Sequence, residues 1–462
     1  MTVQLYNTRT RKREPLQPLH PDWVGLYTCG PTVYSSAHIG NLRTYIFEDV
    51  LRRTLEFNGL TVRHVMNITD VGHLTDDGDM GRDKMEESAK RERKSAWDIA
   101  AHHTQEFFDD LQQLNIEPPT TVLKATETID LQIDLIKRLE TKGVTYRTSD
   151  GLYFDTAKFP AYGQLSRQKV SDKKAGARVD INTEKKHPTD FALWKFSQPN
   201  DQRQMEWPSP WGTGFPGWHI ECSAMSMKEL GEQFDIHTGG VDHIAVHHEN
   251  EIAQSEAATG KHPFVNIWMH GEFLKLPGKR MGKSEGNAVR LGDLNVSPLA
   301  FRYLCLLTHY RKPLSFTSTS LEAAATALMN LWVLLEDQPV DPVVQPIQPY
   351  LEQFTAALNN DLNTPEAIGV MHTMMSDKHF SQSEKVATLH VFDRVLALDL
   401  QPETAAQHLQ PVGAGYESLL EDYETARREK RFTISDKIRQ QFADRGLTVE
   451  DLPDGTSRLR KQ

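Results

Sequence analysis

The sequence predicts an α/β protein, in which a doubly wound parallel sheet carries a small insertion and is followed by an α-helical bundle and a small C-terminal module. The first observation is a strand–helix–strand pattern at residues 25–68, the right-handed unit from which such sheets are built. The second is the return of apolar, strand-like runs at residues 234–237 and 264–269. The third is the helical period of the apolar residues after residue 291.

The elements of the sheet half follow from local patterns. An apolar run at 24–27 predicts a buried strand, and apolar residues on one helical face predict a helix at 41–58 that ends at Gly59. A second strand is expected at 61–68. The charged, glycine-containing stretch 71–93 is predicted to be a solvated loop, with a mobile lid as the alternative. Helices are expected next, at residues 96–115 and 126–142.

Turn residues and short strand-like runs at 144–147 and 152–155 predict an insertion between the two halves of the sheet. Beyond it, helices are expected at 321–335, 351–358, 365–376 and 383–398, with linkers at 339–349 and 401–415. The predicted segments are a first sheet half at 1–142, the insertion at 143–205, a second sheet half at 206–290, a helical junction at 291–338, a helical bundle at 339–400 and a C-terminal module at 416–462.

Composition limits the classes of function. The chain has 462 residues, no apolar run long enough to span a bilayer and no secretory signal, so no membrane association is expected. Its three cysteines cannot build a disulfide framework, which favours the reducing cytoplasm. The net charge is −11, yet residues 425–462 hold ten Lys/Arg against six Asp/Glu, a net of +4. That local reversal favours an anionic partner for the C-terminal module, the alternative being a solvated helix surface.

The loop that joins the first strand to the first helix contains candidate phosphate-binding residues. Here His38 and Gly40 come just before the predicted helix, and Asn41 begins it. Free backbone N–H groups at a helix N-terminus attract phosphate, glycine permits its close approach, and an imidazole supplies a donor. The loop therefore predicts a phosphate site. An ordinary strand-to-helix turn is the alternative, because a short motif of this kind is weak by itself.

Four side chains scattered over the chain are candidate metal ligands. Cys29 follows the first strand, Cys222 lies about 190 residues later, and His247 and Glu251 are four residues apart, hence on one helical face. Thiolate, imidazole and carboxylate are all accepted ligands of Zn²⁺. Buried, inert cysteines are the alternative, and that alternative fits Cys305, within an apolar run, well.

A third stretch, residues 279–287, places basic side chains among glycines. Arg280, Met281, Lys283 and Ser284 form its centre. Such a flexible basic loop can neutralise a polyphosphate, and a surface charge cluster is the alternative.

These three constellations, in this order, resemble the cysteinyl-tRNA synthetases, which are class I aminoacyl-tRNA synthetases. His38-Ile39-Gly40-Asn41 matches the first nucleotide signature of the family, and Arg280-Met281-Gly282-Lys283-Ser284 stands where its second, Lys-Met-Ser-Lys-Ser, is expected. Residues 28–34, 209–212, 217–225 and 247–252 resemble the cysteine enzyme specifically, and the similarity runs from about residue 5 to 455. The chain departs from the family pattern at three positions. Arg280 stands for the first lysine of the second signature and Gly282 for its serine, and Phe215 replaces an arginine that is common there.

The resemblance implies that cysteine and ATP form cysteinyl-adenylate, and that the cysteinyl group then passes to the terminal adenosine of tRNA(Cys). It implies one Zn²⁺ held by Cys29, Cys222, His247 and Glu251, which selects the thiol of cysteine over the hydroxyl of serine, and Mg²⁺ with the ATP. The chain is expected to be a monomer. The implied catalytic residues are His38, Asn41 and Lys283; the ATP site adds Gly40, Gly239, Asp242, Arg280, Met281 and Ser284, and the cysteine site Thr69, Trp218 and His237.

The helical region and the basic module resemble the anticodon-stem and anticodon-binding parts of the family. Phosphates of tRNA are expected at Arg427, Arg428, Lys430, Arg431, Lys437 and Arg439. A paralogous ligase that joins cysteine to a small amino-sugar conjugate would lack this module. A non-catalytic tRNA-binding regulator would not need the ligand and phosphate residues, and a nucleotidyltransferase would need no zinc.

Overall fold

The computed structural model describes residues 2–74, 83–167, 183–197, 203–276, 279–280, 287–336, 338, 343–409, 416–445, 447–452 and 456–461. The strands are β1 Gln4–Asn7, β2 Lys12–Pro15, β3 Val24–Thr28, β4 Val62–Ile68, β5 Thr121–Lys124, β6 Thr145–Arg147, β7 Gly151–Phe154, β8 Phe191–Phe196, β9 Gly214–Pro216, β10 Phe234–Gly240, β11 Val265–Gly271, β12 Leu274–Leu276, β13 Lys279–Arg280, β14 Leu314–Ser315, β15 Leu447–Asp451 and β16 Ser457–Lys461. The helices are α1 Ile39–Phe57, α2 Lys84–Glu92, α3 Ala96–Gln113, α4 Ile129–Thr141, α5 Trp218–Leu230, α6 His247–Thr259, α7 Pro298–Leu306, α8 Ser318–Leu335, α9 Gln348–Asn359, α10 Thr364–Ser376, α11 Gln382–Leu396, α12 Pro402–His408, α13 Glu417–Arg428 and α14 Phe432–Ala443.

The central sheet has five parallel strands in the order β11-β10-β3-β4-β5. Every residue of β3 is buried, as expected for a strand covered by helices on both faces. Because β3 lies between β10 and β4, strands that are far apart in sequence end side by side at one edge of the sheet. The fold class predicted from the sequence is confirmed, and ligands of such sheets bind at this carboxyl edge.

The insertion between the two sheet halves takes part in a separate antiparallel sheet, in the order β6-β7-β8-β9, which extends beyond residue 205 to Pro216. Its last strand, β9, leads through Gly217 directly into α5. A Cβ at Gly217 would lie 2.0 Å from the carbonyl oxygen of Ala192, so only glycine fits this close approach. The insertion thereby fixes the start of α5.

Two segments predicted to be irregular contain helices. The predicted loop 71–93 is wrong over Lys84–Glu92, where Asp83 caps α2 and Met85 is buried; residues 75–82 of that loop lie outside the described residues. The predicted linker 401–415 is wrong over Pro402–His408, where the ring of His408 stacks on Trp332 at 4.0 Å. In both places a tertiary contact stabilises a helix that is too short to be stable alone.

The helical half packs on the sheet half through a buried charge. The guanidinium of Arg302, on α7, lies 2.5 Å from the carboxylate of Asp49 on α1, and both side chains are fully buried. Arg302 also donates to the carbonyl oxygens of Leu114 and Leu396, at the ends of α3 and α11. One side chain therefore joins both halves of the molecule.

The C-terminal module pairs α13 and α14 with the antiparallel hairpin β15-β16 around a small core. Arg458 of β16 donates to Glu450 of β15 at 2.7 Å and to Glu336, just after α8, at 3.0 Å. This contact ties the module to the helical half. None of the described helices has both the length and the apolar composition that crossing a bilayer requires.

A buried histidine in β4 makes stability depend on pH. Burial, with Arg52 nearby, lowers the pKa of His64 from 6.5 to about 3, and within the described residues its Nδ1 has no hydrogen-bond partner. Below pH 6.5 the unfolded chain binds a proton that the native state does not, so native stability falls as pH falls. We expect a loss of about 2 kcal/mol from His64 between pH 6.5 and about 5, since one pH unit corresponds to ~1.4 kcal/mol.

Chemical denaturation across this pH range would measure the effect of His64. The variant His64→Gln keeps a polar group at the position of Nε2, which lies 2.9 Å from the hydroxyl of Thr28, and should flatten the pH dependence. His379→Gln is the matched control, because that imidazole is 90% exposed. Equal slopes for the wild type and His64→Gln would contradict the prediction.

Candidate active site

The four candidate metal ligands meet at the carboxyl edge of the sheet. Cys29 directly follows β3, Cys222 lies on the first turns of α5, and His247 and Glu251 lie one turn apart on α6. One potential ligand atom from each lies within 4.8 Å of those of the other three, and all four residues are buried. Helices α5 and α6 pack together behind the sheet, and this packing produces the convergence.

The donors of this cluster fit a tetrahedral Zn²⁺ site of sulfur, nitrogen and oxygen ligands. Oε1 of Glu251 lies 3.0 Å from Nε2 of His247. This carboxylate oxygen is buried, and among the described residues no donor has the geometry of a hydrogen bond to it. Nδ1 of His247 contacts Nδ1 of His219 at 3.0 Å, which leaves Nε2 facing the cluster. An outer partner of this kind orients histidine ligands in metal sites.

Electrostatics in the cluster favour a cation. Burial and the hydrogen bond with Cys222 raise the pKa of the Cys29 thiol, and that same hydrogen bond lowers the pKa of Cys222. Burial opposes ionisation of Glu251, yet His237 and His247 lower its pKa to about 2. Two thiol groups and an ionised carboxylate are thus brought together away from water, and a divalent ion would compensate the negative charge.

Sequence reasoning missed a further histidine at this cluster, His248. Its Nε2 lies 3.4 Å from Sγ of Cys29, and its Nδ1 lies 2.8 Å from His270. Cys29, His237, His248 and Glu251 form a second group whose ligand atoms lie within 4.8 Å of one another. The sequence offered a hint, because His248 directly follows His247. Neighbouring residues on a helix point about 100° apart, so the pattern did not place both at one site. Only the packing of α6 brings both to Cys29.

The predicted cysteine-site residues surround the cluster. Trp218, the first residue of α5, packs against His247, with ring centroids 4.4 Å apart and the ring planes tilted by 36°. Thr69 is buried and donates to Glu221 at 3.0 Å. His237 is fully buried and lies 3.0 Å from Glu251, behind the cluster. An open cavity lies beside Trp218; its described lining residues are Thr32, His73, Leu74, Lys84, Lys195, Phe215, Pro216, Gly217, Trp218 and His219.

The predicted phosphate loop caps helix α1. His38 is the N-cap: its Nδ1 accepts the backbone N–H of Asn41 at 3.1 Å, and Oδ1 of Asn41 accepts the backbone N–H of His38 at 3.2 Å. This reciprocal cap fixes the imidazole at the helix N-terminus, with half-buried Gly40 just beyond it. The loop thus presents a helix dipole and an oriented imidazole at the carboxyl edge of the sheet.

The remaining predicted ATP residues lie in two places. Gly239 is in β10, where an added Cβ would lie 2.5 Å from Nδ1 of His243, and Asp242 is in the short 3₁₀ turn that follows β10. The backbone of Arg280 is in β13. Met281, Lys283 and Ser284 lie outside the described residues.

The predicted tRNA-binding residues lie on α13, α14 and the turn between them. Arg427 and Arg439 pair with Asp451 at 3.0 and 3.3 Å. Arg428 donates to the hydroxyl of Thr425 at 3.2 Å, and Arg431 pairs with Glu429. Lys430 and Lys437 are exposed, like the four arginines. These cations lie on the surface of one small module, where a polyanion can reach them.

Comparisons with known proteins agree with this arrangement. The family model of the class I (C) tRNA synthetase catalytic domain matches residues 15–326, and a DALR domain model matches residues 353–392. Cysteine–tRNA ligase 1 of Burkholderia lata is 49% identical, with 98% of this chain and 96% of that protein covered. Cysteine–tRNA ligase of Treponema denticola is 43% identical, with 98% of each chain covered.

Among solved structures, methionyl-tRNA synthetase of Mycobacterium tuberculosis bound by methionyl-adenylate is similar in fold, with a TM-score of 0.57 at 15% identity. The matched region covers 83% of this chain and 93% of the methionyl-tRNA synthetase chain. At that identity the likeness concerns the fold alone. With the matched catalytic domain and relatives similar over nearly the whole length, the chain belongs to the cysteine–tRNA ligase family of class I tRNA synthetases.

Proposed function

We propose that this protein activates L-cysteine with ATP to give cysteinyl-adenylate and pyrophosphate, and then transfers the cysteinyl group to the 3′-terminal adenosine of tRNA(Cys). The observation that carries the proposal is the convergence of Cys29, Cys222, His247 and Glu251 within 4.8 Å at the carboxyl edge of the sheet. A tRNA-binding or nucleotide-binding protein that does not select cysteine would not need two buried cysteines at that edge.

The activation step depends on positioning and on neutralising charge. We propose that His38 and Asn41 stabilise the α-phosphate, because their mutual cap fixes the imidazole at the N-terminus of α1, which attracts anions. Lys283 would neutralise the leaving pyrophosphate, and Mg²⁺ would accompany the ATP. Gly40, Gly239, Asp242, Arg280, Met281 and Ser284 complete the proposed ATP site.

Selectivity for cysteine is proposed to rest on the four-ligand cluster. Cys29, Cys222, His247 and Glu251 would hold one Zn²⁺, which when bound supplies a soft Lewis acid that favours a thiol over the hydroxyl of serine. Pocket shape alone separates such near-isosteres by only ~10–200-fold. Thr69, Trp218 and His237 are proposed to position the substrate, Trp218 by forming a wall beside His247.

We further propose that the enzyme is a monomer that works in the cytoplasm. The four proposed metal ligands all come from one chain. The three cysteines are free and buried, as in a reducing compartment. We propose that residues 1–142 and 206–290 carry out activation, with the insertion at 143–205 between them. The helical bundle and the module at 416–462 would contact tRNA.

Cysteine-dependent exchange of pyrophosphate into ATP tests the proposal. Purified protein should exchange with cysteine, fail with serine and contain about one zinc per chain; added tRNA(Cys) should then be charged with cysteine. No exchange by zinc-loaded protein would contradict cysteine activation. Exchange without tRNA charging would instead favour a ligase with a small acceptor.

The basic module permits a separate test of the tRNA contacts. Replacing Arg428 by alanine should weaken tRNA binding and reduce the slope of log affinity against log salt by about one, because one phosphate contact is lost. Pyrophosphate exchange should not change, since α13 packs in the separate core of the C-terminal module. Lys137→Ala, which removes an exposed lysine of α4, is the matched control. An unchanged salt slope would exclude Arg428 as a phosphate contact.

A further inference from the structure

Arg203, near the end of the insertion, joins three separate segments near the proposed cysteine site. Its guanidinium lies 2.5 Å from the carboxylate of Asp83 and donates to the carbonyl oxygen of Gly72. It also lies 3.4 Å from the centroid of the Phe215 ring. The side chains of Arg203 and Asp83 are only 6% and 10% exposed. A charged pair this far from water is held in a defined geometry and is costly to break.

The first two contacts of Arg203 fix the outer wall of the cavity beside Trp218. Asp83 caps α2 by accepting the N–H groups of Met85 and Glu86 at 2.7 and 3.0 Å. The backbone N–H of Lys84 donates to the carbonyl oxygen of His73 at 3.0 Å. His73 and Lys84 both line the cavity. Arg203 therefore holds the start of α2 and residues 72–73, which follow β4, as one unit.

The third contact reaches the inner wall of the same cavity. Phe215 belongs to β9, and the chain runs from it through Pro216 and Gly217 to Trp218, all four of which line the cavity. A planar guanidinium stacked on this ring is attracted to its face. The guanidinium of Arg203 thus lies where the two walls meet, although it is not among the described lining residues.

The outer wall also reaches the polar groups below the cavity. Nε2 of His73 lies 2.7 Å from Oε1 of Glu221, whose other oxygen accepts the hydroxyl of Thr69. Glu221 precedes the proposed zinc ligand Cys222. A shift of the segment that holds His73 would therefore alter the floor of the cavity as well as its outer wall.

We propose that Arg203 is a positioning residue for cysteine activation: by bridging Asp83, Gly72 and Phe215 it sets the separation of the two walls between which cysteine is held. The inference rests on the proposed function, and it adds a positioning role that is separate from those of the nucleotide and zinc residues. Misplacement of a substrate by ~1 Å can cost about 100-fold in rate.

Exchange kinetics on Arg203→Ala and Arg203→Lys test this role. Arg203→Ala should raise KM for cysteine at least tenfold, while KM for ATP and the zinc content stay near wild type. Arg203→Lys should recover part of the loss, because lysine keeps the charge opposite Asp83 but lacks the planar fork and the stacking surface. Asp83→Asn should change KM for cysteine in the same direction. Arg138→Ala, which removes an exposed partner of Glu232 at 2.7 Å, should leave both KM values unchanged.

The outcomes separate the inference from the proposed function. If wild-type protein exchanges with cysteine and Arg203→Ala has an unchanged KM for cysteine, the positioning role is overturned alone. If KM for ATP rises as much as KM for cysteine, or if the activity of Arg203→Lys falls only in proportion to its folded fraction, Arg203 is merely structural. If the wild type shows no cysteine-dependent exchange, the proposed function fails and the inference fails with it.

Discussion

Replacing Cys222 by serine is expected to abolish bound zinc and to lower cysteine-dependent pyrophosphate exchange by more than about 100-fold. Losing a residue that only hydrogen-bonds to a metal ligand costs up to ~100-fold in metal affinity or activity. Cys222 is proposed to bind the ion itself, so a larger loss is expected. Cys222 is buried, and its Sγ lies within 4.8 Å of the potential ligand atoms of Cys29, His247 and Glu251, so its loss removes one of the four proposed ligands. A serine hydroxyl is a far poorer ligand for a soft ion.

Zinc quantification and exchange kinetics on the same preparation would measure the effect of Cys222→Ser. The matched control is Cys305→Ser, which also removes a buried thiol. Burial raises the pKa of Cys305 to about 12, and it lies on α7 within the apolar core, so the control should keep both zinc and exchange. Full exchange by metal-free Cys222→Ser would refute a zinc-based selectivity.

Replacing Arg302 by alanine is expected to cost about 3–5 kcal/mol of stability, the typical loss when one partner of a buried ion pair is removed. Asp49 would remain fully buried, and among the described residues only Arg53, at 2.8 Å, would still pair with it. The carbonyl oxygens of Leu114 and Leu396 would lose their donors. Arg302 joins α1 and α3 of the sheet half to α7 and α11 of the helical half. Its loss should therefore weaken the packing between the two halves.

Denaturant titration of Arg302→Ala would measure that loss. Lys124→Ala is the matched control, because its ion pair with Glu127 at 3.2 Å is exposed and such pairs contribute at most about 1 kcal/mol. The expected difference between the two variants is therefore several kcal/mol. A change below about 1 kcal/mol for Arg302→Ala would show that Asp49 is stabilised in some other way.

Much of the sheet half could be predicted because its signals are local. The apolar run of β3 and the helical period of α1 are complete within a few residues, and their order imposes a parallel unit. The four-residue spacing of His247 and Glu251 likewise places both on one face of α6. Helices α2 and α12 could not be predicted this way, because their stability comes from partners elsewhere, such as Trp332 for His408.

The sequence by itself determined the class of fold, the order of the elements and the residue types of the site. Only the tertiary structure decided that Cys29 and Cys222 meet, that His248 joins them, and that Arg203 stacks on Phe215. The physical reason is one of range. Periodicity and helix caps act over three or four residues, whereas the meeting of side chains nearly 200 residues apart depends on how buried faces of helices and strands pack together.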